Sequence, residues 1–353
     1  QDGLLSRVTY PDHTSRQFLY NQPAYIADPS AARALTGIVD ANGARIGTYR
    51  YDASRRAIST ESAGGVNKYS LAYGSSYTQV TSPLGAVYGY YFTNAGGRMA
   101  IGSQSQPAGA GCGPASESIT YDTNGNVKTR TDFNGVTTSY AYDLTRNLEI
   151  SRTEASGRPE ARTVTTAWHP SYRLPTQIVE PGKVTTFVYD ALGNPVQTTV
   201  SGGGQNRTVT MQYNGAGQVV AVDGPRSDVP DVTTLSYYEC TTGGGCGQLR
   251  SLTNALGQTT RFDAYDANGR VLQQTDPNGL VTGYAYDARG RVTTVGQTPP
   301  GGTMRITRYT YDAAGQLTSV QTPDGNTLGY TYDAAHRLIA IGPAFLGAPK
   351  MLK

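Results

Sequence analysis

The sequence is poor in the residues on which most catalytic and metal sites depend. Among 353 residues there are three His, three Cys and one Trp, and only 16% are charged. The histidines lie far apart and have no second ligand at metal-binding spacing, and no nucleophile or cofactor motif is present. We therefore expect no catalytic residue, no cofactor and no metal. No apolar run approaches the about 18 residues of a membrane-spanning helix.

The charge pattern gives no sign of a nucleic-acid interface. The formal net charge is +3, and Lys and Arg never form a run. Nucleic-acid binding needs clustered basic residues, so we expect no such partner. Low charge combined with 43 Gly and 26 Tyr is instead typical of a β-rich protein. The first residue is Gln1 rather than Met, which indicates a processed product or a fragment of a longer protein.

One unit is repeated along the chain. It is clearest at residues 276–298, where the turns Asp276–Gly279 and Asp287–Gly290 flank a strand containing Tyr284 and Tyr286. Aspartate at the first turn position can accept hydrogen bonds from the backbone ahead of it, and glycine at the fourth can adopt the left-handed conformation. This is the chemistry of a type I turn closing on a G1 bulge, so the unit is a β-hairpin.

A Tyr-Asp pair marks each copy, and consecutive pairs are 21 residues apart in the most regular regions. Such a period predicts a repetitive fold in which each unit packs only on its neighbours. A carboxylate repeated in every unit is better explained as a turn residue than as a catalytic acid. His169 and His336 stand where other copies have Asp or Gly, so we place them in surface turns. The structural repeat pairs are Tyr51-Asp52, Tyr121-Asp122, Tyr142-Asp143, Tyr189-Asp190, Tyr265-Asp266, Tyr286-Asp287, Tyr311-Asp312 and Tyr332-Asp333.

The copies form one continuous array rather than separate domains. They are degenerate over residues 1–118 and regular over 119–341, and residues 342–353 form a tail without the pattern. About 28 strands, about 4.8 Å apart, would make a ribbon about 130 Å long, which its right-handed twist forces to coil. We predict an all-β fold in which tandem hairpins form a long, coiling antiparallel sheet, as a spiral or partial shell. The one predicted helix spans residues 28–37, from a capping Asp28 to Gly37.

The recurring Tyr-Asp-x-x-Gly-Arg/Asn/Gln-Val/Leu resembles the RHS, or YD, repeat. It is clearest at YDANGRVLQQTDPNG (265–279), YDARGRV (286–292) and YDAAGQLTSVQTPDG (311–325). The resemblance covers nearly the whole chain and is greatest to RHS-repeat proteins of Gram-negative bacteria. Similar repeats occur in Tc-toxin C components and in animal teneurins.

This resemblance implies a β-sheet that spirals into a hollow shell, which in polymorphic and Tc toxins encloses a C-terminal toxin domain. For this chain it implies a structural shell segment that encloses or displays a toxin or other cargo. The protein would be a secreted or cell-surface bacterial protein, in transit through the periplasm, and the cargo would belong to the same polypeptide in the full-length protein.

One motif of the resembled family concerns self-cleavage. The family's shell ends in a D-P-x-G-L-type motif tied to cleavage by aspartates, and residues 276–280 match those letters. They lie in the middle of the array, with further Tyr-Asp copies after Tyr286. We therefore interpret them as a hairpin turn and predict that the segment is not an enzyme.

The tyrosines leave a second function open. Pairs two residues apart, such as Tyr284 and Tyr286, share a strand face and would align with their copies into aromatic ladders. The ladders would either pack across strands or present a platform for sugar rings, because YD repeats have been associated with carbohydrate binding. The alternative hypothesis is therefore a cell-surface carbohydrate-binding or adhesion module with glycans as partners.

The cysteines allow one disulfide. Cys240 and Cys246 bracket a short Gly-rich segment and are close enough to bridge across a hairpin loop if the pairing geometry allows it, whereas Cys112 stands alone. An extracellular or periplasmic setting would permit the bridge.

Overall fold

The repeated turn chemistry produces one antiparallel sheet. The computed structural model describes residues 3–240, 245–343 and 350–351. In this part of the chain thirty strands form a single sheet, and each strand pairs with the next strand in sequence. Such a meander needs only short hairpin connections between neighbouring strands. The all-β fold class predicted from the sequence is confirmed.

The strands are short and evenly distributed along the chain. The first fifteen are β1 Arg7–Thr9, β2 Ser15–Tyr20, β3 Leu35–Val39, β4 Arg45–Tyr51, β5 Ala57–Glu61, β6 Tyr69–Tyr73, β7 Tyr77–Thr81, β8 Val87–Ala95, β9 Arg98–Gln106, β10 Ala115–Tyr121, β11 Val127–Thr131, β12 Thr137–Asp143, β13 Leu148–Glu154, β14 Arg162–Trp168 and β15 Pro175–Glu180. The others are β16 Lys183–Tyr189, β17 Pro195–Gly202, β18 Gln205–Tyr213, β19 Val219–Asp223, β20 Thr233–Tyr237, β21 Leu249–Thr253, β22 Thr259–Tyr265, β23 Val271–Thr275, β24 Val281–Tyr286, β25 Val292–Thr298, β26 Arg305–Tyr311, β27 Leu317–Gln321, β28 Thr327–Tyr332, β29 Leu338–Pro343 and β30 Lys350–Met351.

The helix predicted over residues 28–37 is not formed, and that prediction was wrong. The Asp28 carboxylate accepts hydrogen bonds from the backbone N–H and the hydroxyl of Ser30, at 2.9 and 2.7 Å, and so closes a turn. The end of the predicted helix belongs to β3, which pairs with β2. A two-turn helix is marginal by itself and does not compete with a strand ladder. The helical segments of the described residues are single 3-10 turns at Pro23–Tyr25 and Ala63–Gly65, and none is long and apolar enough to cross a membrane.

The sheet is a single layer. The accessible surface is 21191 Å², whereas a compact monomer of 37.5 kDa exposes about 13,800 Å². Few apolar side chains are fully buried, and most of these are alanines. Packing therefore runs along the ribbon, from each strand to its neighbours, as in other repeat architectures. The buried apolar side chains among the described residues are Ala31, Ala95, Leu148, Val164 and Ala340.

The two long edges of the ribbon carry different turns. We call the edge with the turns that lead from odd-numbered to even-numbered strands the first rim, and the opposite edge the second rim. All eight Tyr-Asp turns lie on the second rim, because each Tyr-Asp tyrosine ends an even-numbered strand or lies one residue before its end. Each rim is thus a row of turns along the whole ribbon.

The C-terminal end of the array extends slightly beyond the boundary placed at residue 341. Strand β29 runs to Pro343, and β30 pairs with it through Ala340–Met351 and Ile341–Lys350. The interpretation of residues 342–353 as a tail without the pattern falls mainly on positions 344–349 and 352–353, which lie outside the described residues.

Candidate functional site

The aspartate of each Tyr-Asp pair organises a turn on the second rim. Oδ1 of Asp287 accepts hydrogen bonds from the backbone N–H groups of Arg289 and Arg291, at 2.9 and 3.0 Å. Gly290 has a φ of 82°, and the register shifts by one residue before Tyr286, as in a G1 bulge. Asp143 and Asp312 also accept two backbone hydrogen bonds each, but one of the two donors is the third residue ahead. The same two bonds, to the second and fourth residues ahead, recur at Asp52, Asp122, Asp190, Asp266 and Asp333.

The tyrosine of the pair bonds the preceding hairpin. The Tyr286 hydroxyl donates to the carbonyl of Val271 at 2.8 Å, and Val271 is the residue that faces Tyr265 across the previous bulge. We call such a bond a rung. Among the described residues Tyr142 makes no rung. The other rungs, at 2.6 to 3.1 Å, are Tyr20–Leu5, Tyr51–Leu35, Tyr73–Ala57, Tyr121–Ile101, Trp168–Glu149, Tyr189–Pro175, Tyr213–Pro195, Tyr237–Val219, Tyr265–Leu249, Tyr311–Val292 and Tyr332–Leu317.

The aromatic ladders expected from the tyrosine pairs are absent from the described part of the chain. Close ring pairs there occur at Tyr77–Tyr91, His169–Tyr172, Phe187–Tyr189 and Tyr238–Tyr265, not between copies of the repeat tyrosine. The reason is distance: copies lie two strands, or about 9.6 Å, apart, whereas paired rings need centroids about 4.5–7 Å apart. The hydroxyl instead bonds a carbonyl on the adjacent strand, as Tyr286 of β24 does to Val271 of β23.

The arginine after the turn glycine occupies the space between rungs. Arg270 pairs with its own turn aspartate, Nε to Oδ2 of Asp266 at 2.6 Å, and its guanidinium lies 4.7 Å from the ring centroid of Tyr286 in the next copy. Arg291 repeats both contacts, at 2.6 Å to Asp287 and 4.8 Å to the ring of Tyr311. In Tyr-Asp-x-x-Gly-Arg, the tyrosine therefore makes the rung, the aspartate closes the turn and the glycine takes the left-handed conformation. The arginine bridges its own turn aspartate and the tyrosine ring of the next copy.

The turn contacts shift the ionisation of the aspartates in one direction. Hydrogen bonds from the backbone N–H groups of Arg270 and Arg337 lower the pKa of Asp266 and of Asp333. The Asn194 side chain does the same for the pKa of Asp190. A general acid working near neutral pH needs a raised pKa, so these carboxylates suit turn closure rather than proton transfer.

Two histidines take turn positions, as the sequence predicted. Nδ1 of His169 accepts hydrogen bonds from the backbone N–H groups of Ser171 and Tyr172, at 3.2 and 3.1 Å, and so replaces the turn aspartate. His336 has a φ of 64° in the position that glycine holds in other copies. Arg55 takes the same conformation, with a φ of 62°, at the equivalent position of the turn that begins at Asp52.

The surroundings of His336 include the other end of the ribbon. Nε2 of His336 lies 2.6 Å from Oδ2 of Asp40, whose side chain is almost fully buried. Asn42 lies in the same turn as Asp40. Its Nδ2 donates a hydrogen bond to Oδ2 of Asp312 at 2.9 Å. The turn between β3 and β4 thus touches the turns after β26 and β28.

A third contact completes this junction. Oδ2 of Asp12, in the turn between β1 and β2, lies 3.7 Å from Arg289 and 3.5 Å from Arg291. The Arg289 guanidinium also lies 4.0 Å from the centroid of the Tyr10 ring. The Thr14 hydroxyl lowers the pKa of Asp12, and the two arginines lower it further. We call the set Tyr10, Asp12, Asp40, Asn42, Arg289, Arg291, Asp312 and His336 the seam.

The seam shows that the ribbon completes one revolution. First-rim turns near the N-terminus meet second-rim turns about 24 strands later, so the path climbs by one ribbon width per revolution. At about 4.8 Å per strand, about 24 strands give a circumference of about 115 Å and, for a circular path, a diameter of about 37 Å. The seam residues were not predicted from the sequence. The only signal for them was histidine at a glycine position, and that signal names no partner.

The cysteine pair replaces one Tyr-Asp-type turn. The structure joins Cys240 and Cys246 by a disulfide with Cα atoms 4.3 Å apart, in the connection from β20 to β21, while Cys112 is exposed and free. Residues 241–244 of that loop lie outside the described residues. No group of three or more His, Cys, Asp or Glu able to hold a metal occurs within the described ranges.

The motif chemistry matches a known repeat. The family described as RHS Repeat matches residues 121–159, 265–304, 294–327 and 311–344, which include the rungs of Tyr286, Tyr311 and Tyr332. The chain contains RHS repeats. It is 29% identical over 178 residues to the tRNA3(Ser)-specific nuclease WapA of Bacillus spizizenii, a match that covers 50% of this chain and 6% of that protein.

Solved structures of toxin complexes share the fold. The TcdB2–TccC3 crystal structure has a TM-score of 0.69 at 19% identity and matches 88% of this chain and 17% of that chain. The Tc holotoxin pore of Photorhabdus luminescens has a TM-score of 0.54 at 13% identity, over 93% of this chain and 22% of that chain. At these identities the likeness establishes the fold alone. The RHS-repeat chain thus spans about a fifth or less of the relatives it matches.

Proposed function

We propose that this chain is a wall segment of an RHS-repeat shell that encloses or displays a toxin or other cargo in a secreted or cell-surface bacterial protein. The segment itself performs no catalysis, and its cargo is part of the same polypeptide in the full-length protein. The single observation that carries the proposal is the seam, because a single-layer ribbon that returns to itself rim to rim forms a wall around a space.

The size of the revolution favours an extended cargo over a folded one. Inward side chains take about 5 Å of the radius, which leaves a lumen about 27 Å wide from a path about 37 Å across. A folded domain of about 100 residues has a radius of gyration of about 13 Å and hence a diameter of about 34 Å. At this level of the wall an unfolded segment fits and a folded domain does not.

The toxin-related names among the relatives agree with a cargo role. The nuclease WapA and the Tc complexes are much longer proteins that contain a region similar to this chain. The tyrosines of the Tyr-Asp pairs other than Tyr142 direct their hydroxyl groups to backbone carbonyls, an arrangement that does not favour the glycan alternative at these residues.

The test is protease protection of the protein purified from its native host. Intact mass spectrometry before and after mild digestion should find a polypeptide, continuous with this chain or co-eluting with it, that resists cleavage. The double variant Arg289→Ala/Arg291→Ala should expose that polypeptide, because it removes both seam arginines. Arg270→Ala is the matched control, since Arg270 makes the same turn contacts but lies outside the seam. Wild-type protein that carries no protected polypeptide would refute the proposal.

A further inference from the structure

The seam differs in kind from every other junction in the sheet. Neighbouring strands are joined by backbone ladders, for example five paired positions between β28 and β29. Across the seam, the described residues make no backbone–backbone hydrogen bond, and all contacts involve side chains. The ribbon could therefore separate at the seam without breaking a strand pair.

The ion pairs of Asp12 in the seam are partly open to solvent, whereas the Asp40 carboxylate that contacts His336 is buried. Asp12 faces Arg289 and Arg291 at 3.7 and 3.5 Å, and all three side chains retain some solvent exposure. Ion pairs of this kind are individually weak and are screened by salt. A ring closed by such contacts is sensitive to ionic strength, whereas the backbone ladders are not.

The contact between His336 and Asp40 is separate from the bonds that close the two turns. His336 keeps a φ of 64° while it bonds the buried Asp40 carboxylate. Asp40 at the same time accepts hydrogen bonds from the backbone N–H groups of Asn42 and Ala44, at 3.0 and 2.8 Å, so its own turn is closed without His336. Loss of the His336 contact thus leaves both turns able to keep their hairpins.

We propose that the seam is a latch: it keeps the ribbon in a closed revolution at low ionic strength and opens at high ionic strength while all strands stay paired. Opening widens the passage through this level of the wall. The inference rests on the seam contacts alone and does not depend on the presence of cargo.

Distance measurement across the seam tests the latch. Spin labels at Ala41→Cys and Ala334→Cys, with Cys112→Ser to remove the free thiol, flank the contact between Asp40 and His336 without replacing either residue. Electron–electron double resonance should give one short distance at low salt. This population should be lost at about 1 M sodium chloride, where the Debye length is about 3 Å. The far-ultraviolet circular dichroism should not change.

Two matched variants distinguish opening of the seam from a general loss of turn stability. Arg291→Ala should lower the salt concentration at which the short distance disappears, because it removes a partner of Asp12. Arg270→Ala removes the equivalent turn and ring contacts outside the seam and should leave that concentration unchanged. The latch is refuted if the short distance of the labelled protein survives high salt, if Arg291→Ala and Arg270→Ala lower the salt concentration equally, or if the short distance disappears only together with the β signal.

Discussion

At the scale of single residues, the repeat tyrosine acts mainly through its hydroxyl group. Its ring is too far from the next copy to stack, but the phenol is long enough to reach a carbonyl of the preceding hairpin. Burial raises the pKa of the rung tyrosines Tyr189, Tyr265, Tyr286 and Tyr311, so each remains a protonated donor at neutral pH. The accepted carbonyl lies next to a bulge, where the regular ladder is interrupted.

Tyr286→Phe removes one rung and leaves the ring in place. We expect a local loss of about 1 kcal/mol, which is the typical net value of such a hydrogen bond. Amides of β23 near Val271 should then exchange with deuterium about fivefold faster, as measured by mass spectrometry. Tyr142→Phe is the control, because Tyr142 makes no rung in the described structure. Equal effects of the two substitutions would assign the stabilisation to the ring and not to the hydroxyl.

At the scale of elements, the hairpin turn tolerates several chemical solutions. Most second-rim turns close on an aspartate, one closes on His169, and the connection after β20 is closed by the Cys240–Cys246 bridge. A covalent bridge over a short loop restricts the unfolded chain, which is the main source of its stabilisation. The hairpin architecture therefore depends on closure of the turn, whichever group provides it.

Thiol counting tests this bridge. Under denaturing conditions an alkylating reagent should modify one cysteine, Cys112, without reductant and all three cysteines after reduction. The readout is the mass of the intact protein. Cys246→Ser should add one reactive thiol, that of Cys240, in the absence of reductant. Three reactive thiols in unreduced wild-type protein would contradict the bridge.

At the scale of the whole molecule, stability is the sum of many similar local terms. A single-layer ribbon has no central core, so neighbouring hairpins and their turns carry the fold. The pKa values of the turn aspartates Asp266 and Asp333 are lowered in the folded protein, and the pKa of Asp28, which bonds Arg55 and Ser30, falls to about 2. Because such carboxylates recur along the ribbon, we expect their contributions to add and the stability of the fold to decrease in acid.

The direction of the pH dependence of stability follows from the difference between the pKa of a group in the folded and in the unfolded state. A carboxyl group whose pKa is lower in the folded state stabilises the fold above its unfolded pKa of about 3.9 and loses that contribution as the pH falls through the folded value. We expect the melting temperature to fall progressively from pH 5 to pH 2, measured by circular dichroism at constant ionic strength. Asp266→Asn should flatten this decline slightly, because it removes one titrating group. A melting temperature that does not change over this range would contradict the prediction.

The local structure of this protein follows from its amino-acid sequence alone. The Tyr-Asp-x-x-Gly-Arg pattern specifies a turn, a bulge and two short strands through contacts within about six residues, so turns such as Asp287–Gly290 could be predicted in detail. The repetition of that unit predicted a single long antiparallel sheet, because each hairpin contacts mainly its neighbours.

Features that depend on residues far apart in the sequence follow only from the folded ribbon. Residues 35–39 became strand β3 rather than the end of a helix, because β2 offered them a ladder. The tyrosines became rungs because the adjacent strand places a carbonyl within reach of the hydroxyl, whereas the next tyrosine copy is two strands away. The seam joins Asp12, Asp40 and Asn42 to residues about 270 or more positions away, and that pairing depends on the accumulated twist of the whole ribbon. The position at which the revolution closes depends on the twist added over about 24 strands, which cannot be read from the sequence of any single repeat.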